Sequence, residues 1–181
     1  ERTIVVESAN IATFESINVV DATQNNIITV LVSGEGTYEY ALLDADNILY
    51  RPYQTSHVFE NISPGFYTVY VKDVENNCGI VNTKVSVIGF PKYFTPNNDG
   101  KNDCFRVYGI ASECEEAELR IFNRYGERIF FTENLNECWN GRVNNDGPFL
   151  PDGTYFYQLN IIKSPFIKSP QLINGSINLI R

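Results

Sequence analysis

Methionine is absent from the 181 residues, and leucine and alanine are scarce, with 10 and 7 copies. In their place stand 18 Ile, 15 Val, 12 Phe, 11 Tyr and 11 Thr. β-Branched and aromatic side chains lose rotamer freedom against a helical turn but pack well on a pleated surface, so this balance excludes a helical bundle. The missing Met leads us to expect a processed piece of a longer polypeptide, in which no signal peptide would show. No run reaches the ~18 apolar residues that a membrane helix needs, so no membrane-spanning segment is expected. Histidine occurs once, as His57, and none of the four cysteines forms a CxxC pair. A structural zinc site wants four clustered ligands, and a cysteine nucleophile wants a base beside it; the sequence offers neither. No glycine-rich phosphate loop follows a strand and opens a helix. The carboxylates are scattered, except for Glu113, Glu115, Glu116 and Glu118, which read as a solvated turn. We find no catalytic constellation and expect no enzyme and no cofactor beyond the calcium considered below. Positive charge is lacking in the first half: residues 1–90 carry 4 basic and 11 acidic residues, net −7, against 10 and 11, net −1, in residues 91–181. A nucleic-acid partner would want a basic face, so none is expected.

What is present reads as short strands separated by turn signals. In the first half the segments 11–20, 27–33, 37–43, 56–60, 66–74 and 80–88 carry strand composition, and DATQNN, SGEG, DADN, SPG and ENNCG punctuate them. In FYTVYVKD, Tyr67, Val69 and Val71 alternate with Thr68, Tyr70 and Lys72, the period of two that a single buried face demands. In the second half the expected strands are 104–110, 118–123, 127–132, 154–162 and 175–180, with a single turn over 113–118. The fold class is all-β, two immunoglobulin-like antiparallel β-sandwich domains in tandem, 1–88 and 89–181. Gly89–Phe90–Pro91 leaves almost no spacer between them, which predicts rigid coupling with Phe90 packed in the junction.

The densest signal is FPKYFTPNNDGKNDCF (90–105). Asn97, Asp99 and Asp103 have partial calcium-loop spacing, with Thr95 and Gly100 in register, but Arg106 stands where a bidentate Glu would close the site. Two readings stay open: a bound calcium ion, or an Asx-rich turn whose side chains cap the loop's own backbone. Segments 118–123 and 127–132 read as one hairpin turning at Gly126. Its arms, extended, bring Cys114 and Cys138 to the open end, which predicts a Cys114–Cys138 disulfide in an oxidising compartment. Cys78 and Cys104 are then left as thiols or as a second pair, and four reduced thiols are the alternative.

Five blocks in order, FPKYFTPNNDGKNDCF, AELRIFNRYGERIFF, CWNG, LPDGTYFYQLNI and GSINLIR, resemble the type B C-terminal domain of proteins exported by the type IX secretion system of Bacteroidetes. Asn98 stands where that family usually has Gly, and the cysteines are not part of its pattern. The first half resembles the last immunoglobulin-like repeat of gliding and adhesin chains, through GTYEYALLD, HVFENISPGFYTVYVKD and NNCG. The resemblance implies a non-enzymatic, cell-surface adhesin. Its folded terminal domain would be a signal read at the outer membrane by the type IX translocon and a PorP-like outer-membrane barrel, and the chain would be exported to the cell surface or medium. The motif positions it implies for partner binding are Phe94, Thr95, Pro96, Asn97, Asn98, Asp99, Gly100, Asn102, Asp103, Asn123, Arg124, Tyr125, Gly126, Trp139, Gly141, Gly153, Tyr155 and Arg181. The rival reading is an adhesion module whose first domain binds a glycan or protein through Tyr38, Tyr40, Tyr50, Tyr53 and Tyr67.

Overall fold

The computed structural model describes residues 11–75, 79–110, 116–164 and 170–181. The chain forms two compact units, Glu1–Val87 and Ile88–Arg181.

The first unit begins with β1 (Thr13–Val20), β2 (Ile27–Ser33), β3 (Tyr38–Asp44) and β4 (Leu49–Gln54). It continues with β5 (Val58–Phe59), β6 (Gly65–Asp73) and β7 (Ile80–Val87). They make two sheets, β1-β2-β5 and β4-β3-β6-β7, with every pair antiparallel. The alternation read in β6 holds: Tyr67, Val69 and Val71 are buried and the residues between them are only half-buried. They join Ile28, Val30, Leu42, Phe59 and Val87 in one apolar cluster. Each such aliphatic side chain contributes about 1.5–3 kcal/mol on burial.

β4 is not among the expected strands, because Pro52 lies inside it. As an edge strand, β4 pairs only with β3, so an imide nitrogen there need not break a ladder. The tyrosine platform is not formed. Tyr40 and Tyr67 are core residues, Tyr38 and Tyr50 are half-buried against that core, and only Tyr53 is exposed. An aromatic ring offers more free energy inside a sandwich than on it, and alternation placed these rings inward.

The second unit is built on one five-stranded sheet, β10-β9-β11-β12-β8. Its strands are β8 (Tyr93–Phe94), β9 (Glu116–Phe122), β10 (Arg128–Thr132), β11 (Gly153–Lys163) and β12 (Gln171–Leu179). Three of the pairings are antiparallel and β12–β8 is parallel. Ala117, Leu119 and Ile121 of β9 and Tyr155, Tyr157, Leu159 and Ile161 of β11 face one core. Segment 104–110, expected as a strand, joins no ladder and makes isolated bridges instead, Phe105 to Trp139 and Tyr108 to Gly89. It nonetheless covers the sheet, because Phe105 and Val107 enter the same cluster as Trp139. Glu116 to Glu118, expected in a turn, belong to β9: Ala117 is buried on the core face while Glu118 pairs with Arg120 on the other. Phe90, expected at the junction, stacks on Tyr157 with ring centroids 4.3 Å apart and on Phe105 at 6.2 Å, as part of this unit's own core. Among the described residues the only helical element is a single 3-10 turn at Val143–Asn145.

Candidate functional site

The five ordered blocks meet at one pole of the second unit, and the way each folds separates scaffold from surface. The loop after β8 is closed by Asp103. Its Oδ1 accepts the amides of Asn97 (3.2 Å) and Asn98 (2.6 Å), and its Oδ2 accepts that of Gly100 (2.8 Å). Asp99 Oδ1 accepts the Lys101 amide at 2.8 Å, and Asn97 donates its side-chain amide to Asp99 Oδ2 at 3.1 Å. Asn98 (φ 61°), Gly100 (φ 83°) and Asn102 (φ 52°) take the left-handed turns that such a loop needs, and Asn enters that region at little cost. The carboxylates are thus engaged by the loop's own backbone, as in the Asx-turn reading. Among the described residues no group of three or more His, Cys, Asp or Glu side chains is placed to hold a metal ion.

The hairpin turn between β9 and β10 is equally self-contained. Asn123 Oδ1 accepts the amides of Tyr125 (2.9 Å) and Glu127 (3.0 Å), and its Nδ2 donates to Glu127 Oε2 at 2.9 Å. Gly126 (φ 79°) completes the turn, its amide donating to the Asn123 carbonyl at 3.0 Å. Asn123 and Gly126 therefore have structural work, whereas Arg124 and Tyr125 point outward.

Beneath both turns lies an aromatic stack. Trp139 sits 5.1 Å from Phe94 and 5.1 Å from Tyr155, edge-on to the latter, and its Nε1 donates to the Arg142 carbonyl at 2.7 Å. The Tyr155 hydroxyl donates to the Pro151 carbonyl at 2.6 Å. Burial raises the Tyr155 pKa, with Arg181 and Arg124 near enough to oppose part of that rise. Phe94 and Trp139 are fully buried and Tyr155 and Gly141 nearly so. These four were expected among the partner-binding positions; the three rings pack inside the unit, and Gly141 lies beneath its surface.

Arg181 ties the remaining blocks together. Its backbone amide donates to Asp152 Oδ2 at 3.1 Å, its Nη2 to the Gly141 carbonyl at 3.3 Å, and its Nη1 to the Leu150 carbonyl. Nη1 also pairs with Asp152 Oδ1 at 3.5 Å. Its guanidinium lies 5.0 Å from the Phe149 ring centroid, while that of Arg142 covers the same ring at 3.5 Å. Gly141 (φ 80°) is where Leu179, Arg181 and Pro96 converge. The exposed remainder comprises Asn97, Asn98, Asp99, Gly100, Asn102, Arg124, Tyr125, Gly126, Gly153 and Arg181. Thr95, Pro96, Asp103 and Asn123 are half-buried.

A disulfide joins two of these blocks, but not as expected. Cys104 bonds Cys138, with their Cα atoms 5.6 Å apart. Cys138 is therefore unavailable to Cys114, which lies outside the described residues, as does Cys78. The cause is local. The hairpin ladder stops at the Thr132–Leu119 pair, and the chain then turns back so that Trp139 exchanges backbone hydrogen bonds with Phe105 at 2.8 and 2.9 Å. That bridge lays Cys138 beside Cys104. Arg106 Nη2 covers both sulfurs, at 3.5 and 3.8 Å. The sequence signal that could have found this pair was the position of each cysteine next to an aromatic, Phe105 and Trp139, in the two flanking blocks.

Residues 88–175 match the family described as the CHU_C type IX secretion signal domain. A comparison with curated proteins finds no match. Among solved structures, extracellular domains 3–5 of Drosophila OTK align over 94% of this chain at 11% identity with a TM-score of 0.35, and this chain spans 61% of that one. A two-domain fibronectin type III segment of chicken tenascin aligns over 91% of this chain and 98% of its own, at 12% identity and a TM-score of 0.32. The fibronectin(III)-like modules of Clostridium thermocellum CbhA give 94% and 93% coverage, 11% identity and a TM-score of 0.29. At such scores none of the three bears on what the chain does.

Proposed function

Residues 88–175 belong to the family of type IX secretion signal domains, and from that premise we propose that the second unit is a folded address, docked at the outer membrane through its pole. The family assignment makes this a secreted protein, exported across the outer membrane to the cell surface or medium and handled by the type IX machinery. It also points to a non-catalytic role for this part of the chain.

The finer reading is that the machinery recognises three-dimensional shape rather than a linear peptide. One observation carries it: five blocks spread over residues 94–181 meet at a single pole, joined by Arg181, by the Phe94–Trp139–Tyr155 stack and by the disulfide. The partner of this reading is the translocon with a PorP-like outer-membrane barrel, and the first unit is the last repeat of an adhesin. The test appends residues 88–181 to a fluorescent protein that carries a periplasmic signal peptide, in a type IX-competent host. Fluorescence at the surface or in the medium is expected. Fluorescence held in the periplasm, while a proven signal domain exports the same reporter, would refute the address.

A further inference from the structure

The turn over 123–127 needs neither of its two central side chains. Asn123 and Gly126 shape it, yet Tyr125 is 81% exposed, with the Arg124 guanidinium 5.4 Å from its ring centroid. An aromatic ring left in water at a hairpin tip contributes little to folding; one alone is ordinary, and it is a cluster of such rings that marks a binding surface. Arg124 pairs with no carboxylate among the described residues. The two carboxylates that border it are already engaged, Glu127 by Asn123 and Asp152 by Arg181.

Between this turn and the 150–155 turn lies a shallow depression of about 140 Å³, open to solvent. Arg124 and Tyr125 form one wall, and Leu150, Pro151, Asp152 and Tyr155 are among the residues that line the other side. Next along the chain, Phe149 is 60% exposed and flanked by the guanidinium groups of Arg142 and Arg181. The pole thus gathers two exposed aromatics and three guanidinium groups in a chain whose net charge is −8. Aromatic rings and arginines are the side chains that carry most binding energy at protein interfaces, and a guanidinium fork matches a carboxylate in shape and charge.

We infer that this depression receives an acidic loop of the export machinery, seated with an apolar side chain against Leu150 and Pro151 and a carboxylate on Arg124. The inference rests on the secretion-signal reading and specifies the chemistry of its partner.

The test uses the full chain behind a signal peptide and a fluorescent reporter, in type IX-competent cells. Arg124→Glu and Tyr125→Ala should each reduce export at least about tenfold, the effect of losing ~1.4 kcal/mol of binding. Arg124→Lys should fall between them and the wild type, and Tyr108→Ala, an exposed aromatic outside the pole, should export normally. Circular dichroism melts of the purified variants should be unchanged, since neither side chain supports the turn. A photo-crosslinking amino acid at position 125 should then join the chain to an outer-membrane protein, within a segment that holds Asp or Glu. Wild-type export of Arg124→Glu and Tyr125→Ala, or a cross-link to a segment without carboxylates, overturns the inference and leaves the address intact. Failure of the unaltered chain to export removes the address, and the inference with it.

Discussion

A β-carbon added at Gly141 would stand 2.8 Å from Leu179 Cδ1, on a backbone whose φ of 80° side chains rarely adopt. One added at Gly126 meets the same kind of backbone, φ 79°, but open space. The comparison separates two costs. Gly126→Ala should lower stability by about 1 kcal/mol, the conformational penalty alone. Gly141→Ala should lower it by about 2–4 kcal/mol, since a packed neighbour must also move. Urea titration of both variants checks this, and equal losses would contradict the packing at the pole. Burial raises the pKa of Tyr67, Tyr155 and Tyr157 above the ordinary 10.0. The unfolded chain then sheds these phenolic protons first, so stability is complete below about pH 10 and is lost as pH rises through the folded-state values. Urea midpoints recorded from about pH 8 to 11.5 should stay level and then fall. Asp103→Ala should cost about 1–2 kcal/mol by freeing three loop amides, and adding calcium should not raise the melting temperature of the wild type if those amides hold the carboxylate.

Among the elements, the strands with clean alternation, β6, β9 and β11, were legible in the sequence because one face of each meets a core and the other meets water. The turns were legible too: Gly126, Asp99 and Gly100 mark them by backbone chemistry that acts locally, whereas Asn123, expected as the last residue of a strand, shapes the hairpin turn instead. What escaped was set by contacts distant in sequence. β8 is a strand only because β12 lies beside it in parallel, and β4 hides behind a proline that an edge position tolerates. Segment 104–110 looked like a strand, yet it makes isolated bridges rather than a ladder, and it serves as a strap of apolar side chains. The expected Cys114–Cys138 pair assumed that the hairpin continues past Thr132, whereas the Phe105–Trp139 bridge redirects the chain toward Cys104. The Cys104–Cys138 bond spans 34 residues and should stabilise the second unit by about 4 kcal/mol through the entropy it removes from the unfolded chain. Cys104→Ser, or added reductant, should lower the unfolding midpoint followed by Trp139 fluorescence. An unchanged midpoint would show that the bond is absent in solution.

At the scale of the molecule, two separate cores mean that each unit carries its own reason to fold. The single tryptophan reports on one of them, since Trp139 lies at the centre of the second core. Residues 88–181 prepared alone should therefore unfold in one cooperative step, with blue-shifted Trp139 emission before it and red-shifted emission after. A gradual shift would argue that this unit lacks an independent core. Export gives the disulfide a meaning beyond stability. The bond forms where thiols are oxidised, and the first such compartment that an exported chain meets is the periplasm, ahead of the outer membrane. Once closed, the stretch from Cys104 to Cys138 is a ring and has no single-file conformation. However completely the rest of the chain might be stretched, at least two strands must advance abreast as this ring passes. A cross-link closed in the periplasm would thereby set a lower bound on the bore of the conduit that lets this protein out of the cell.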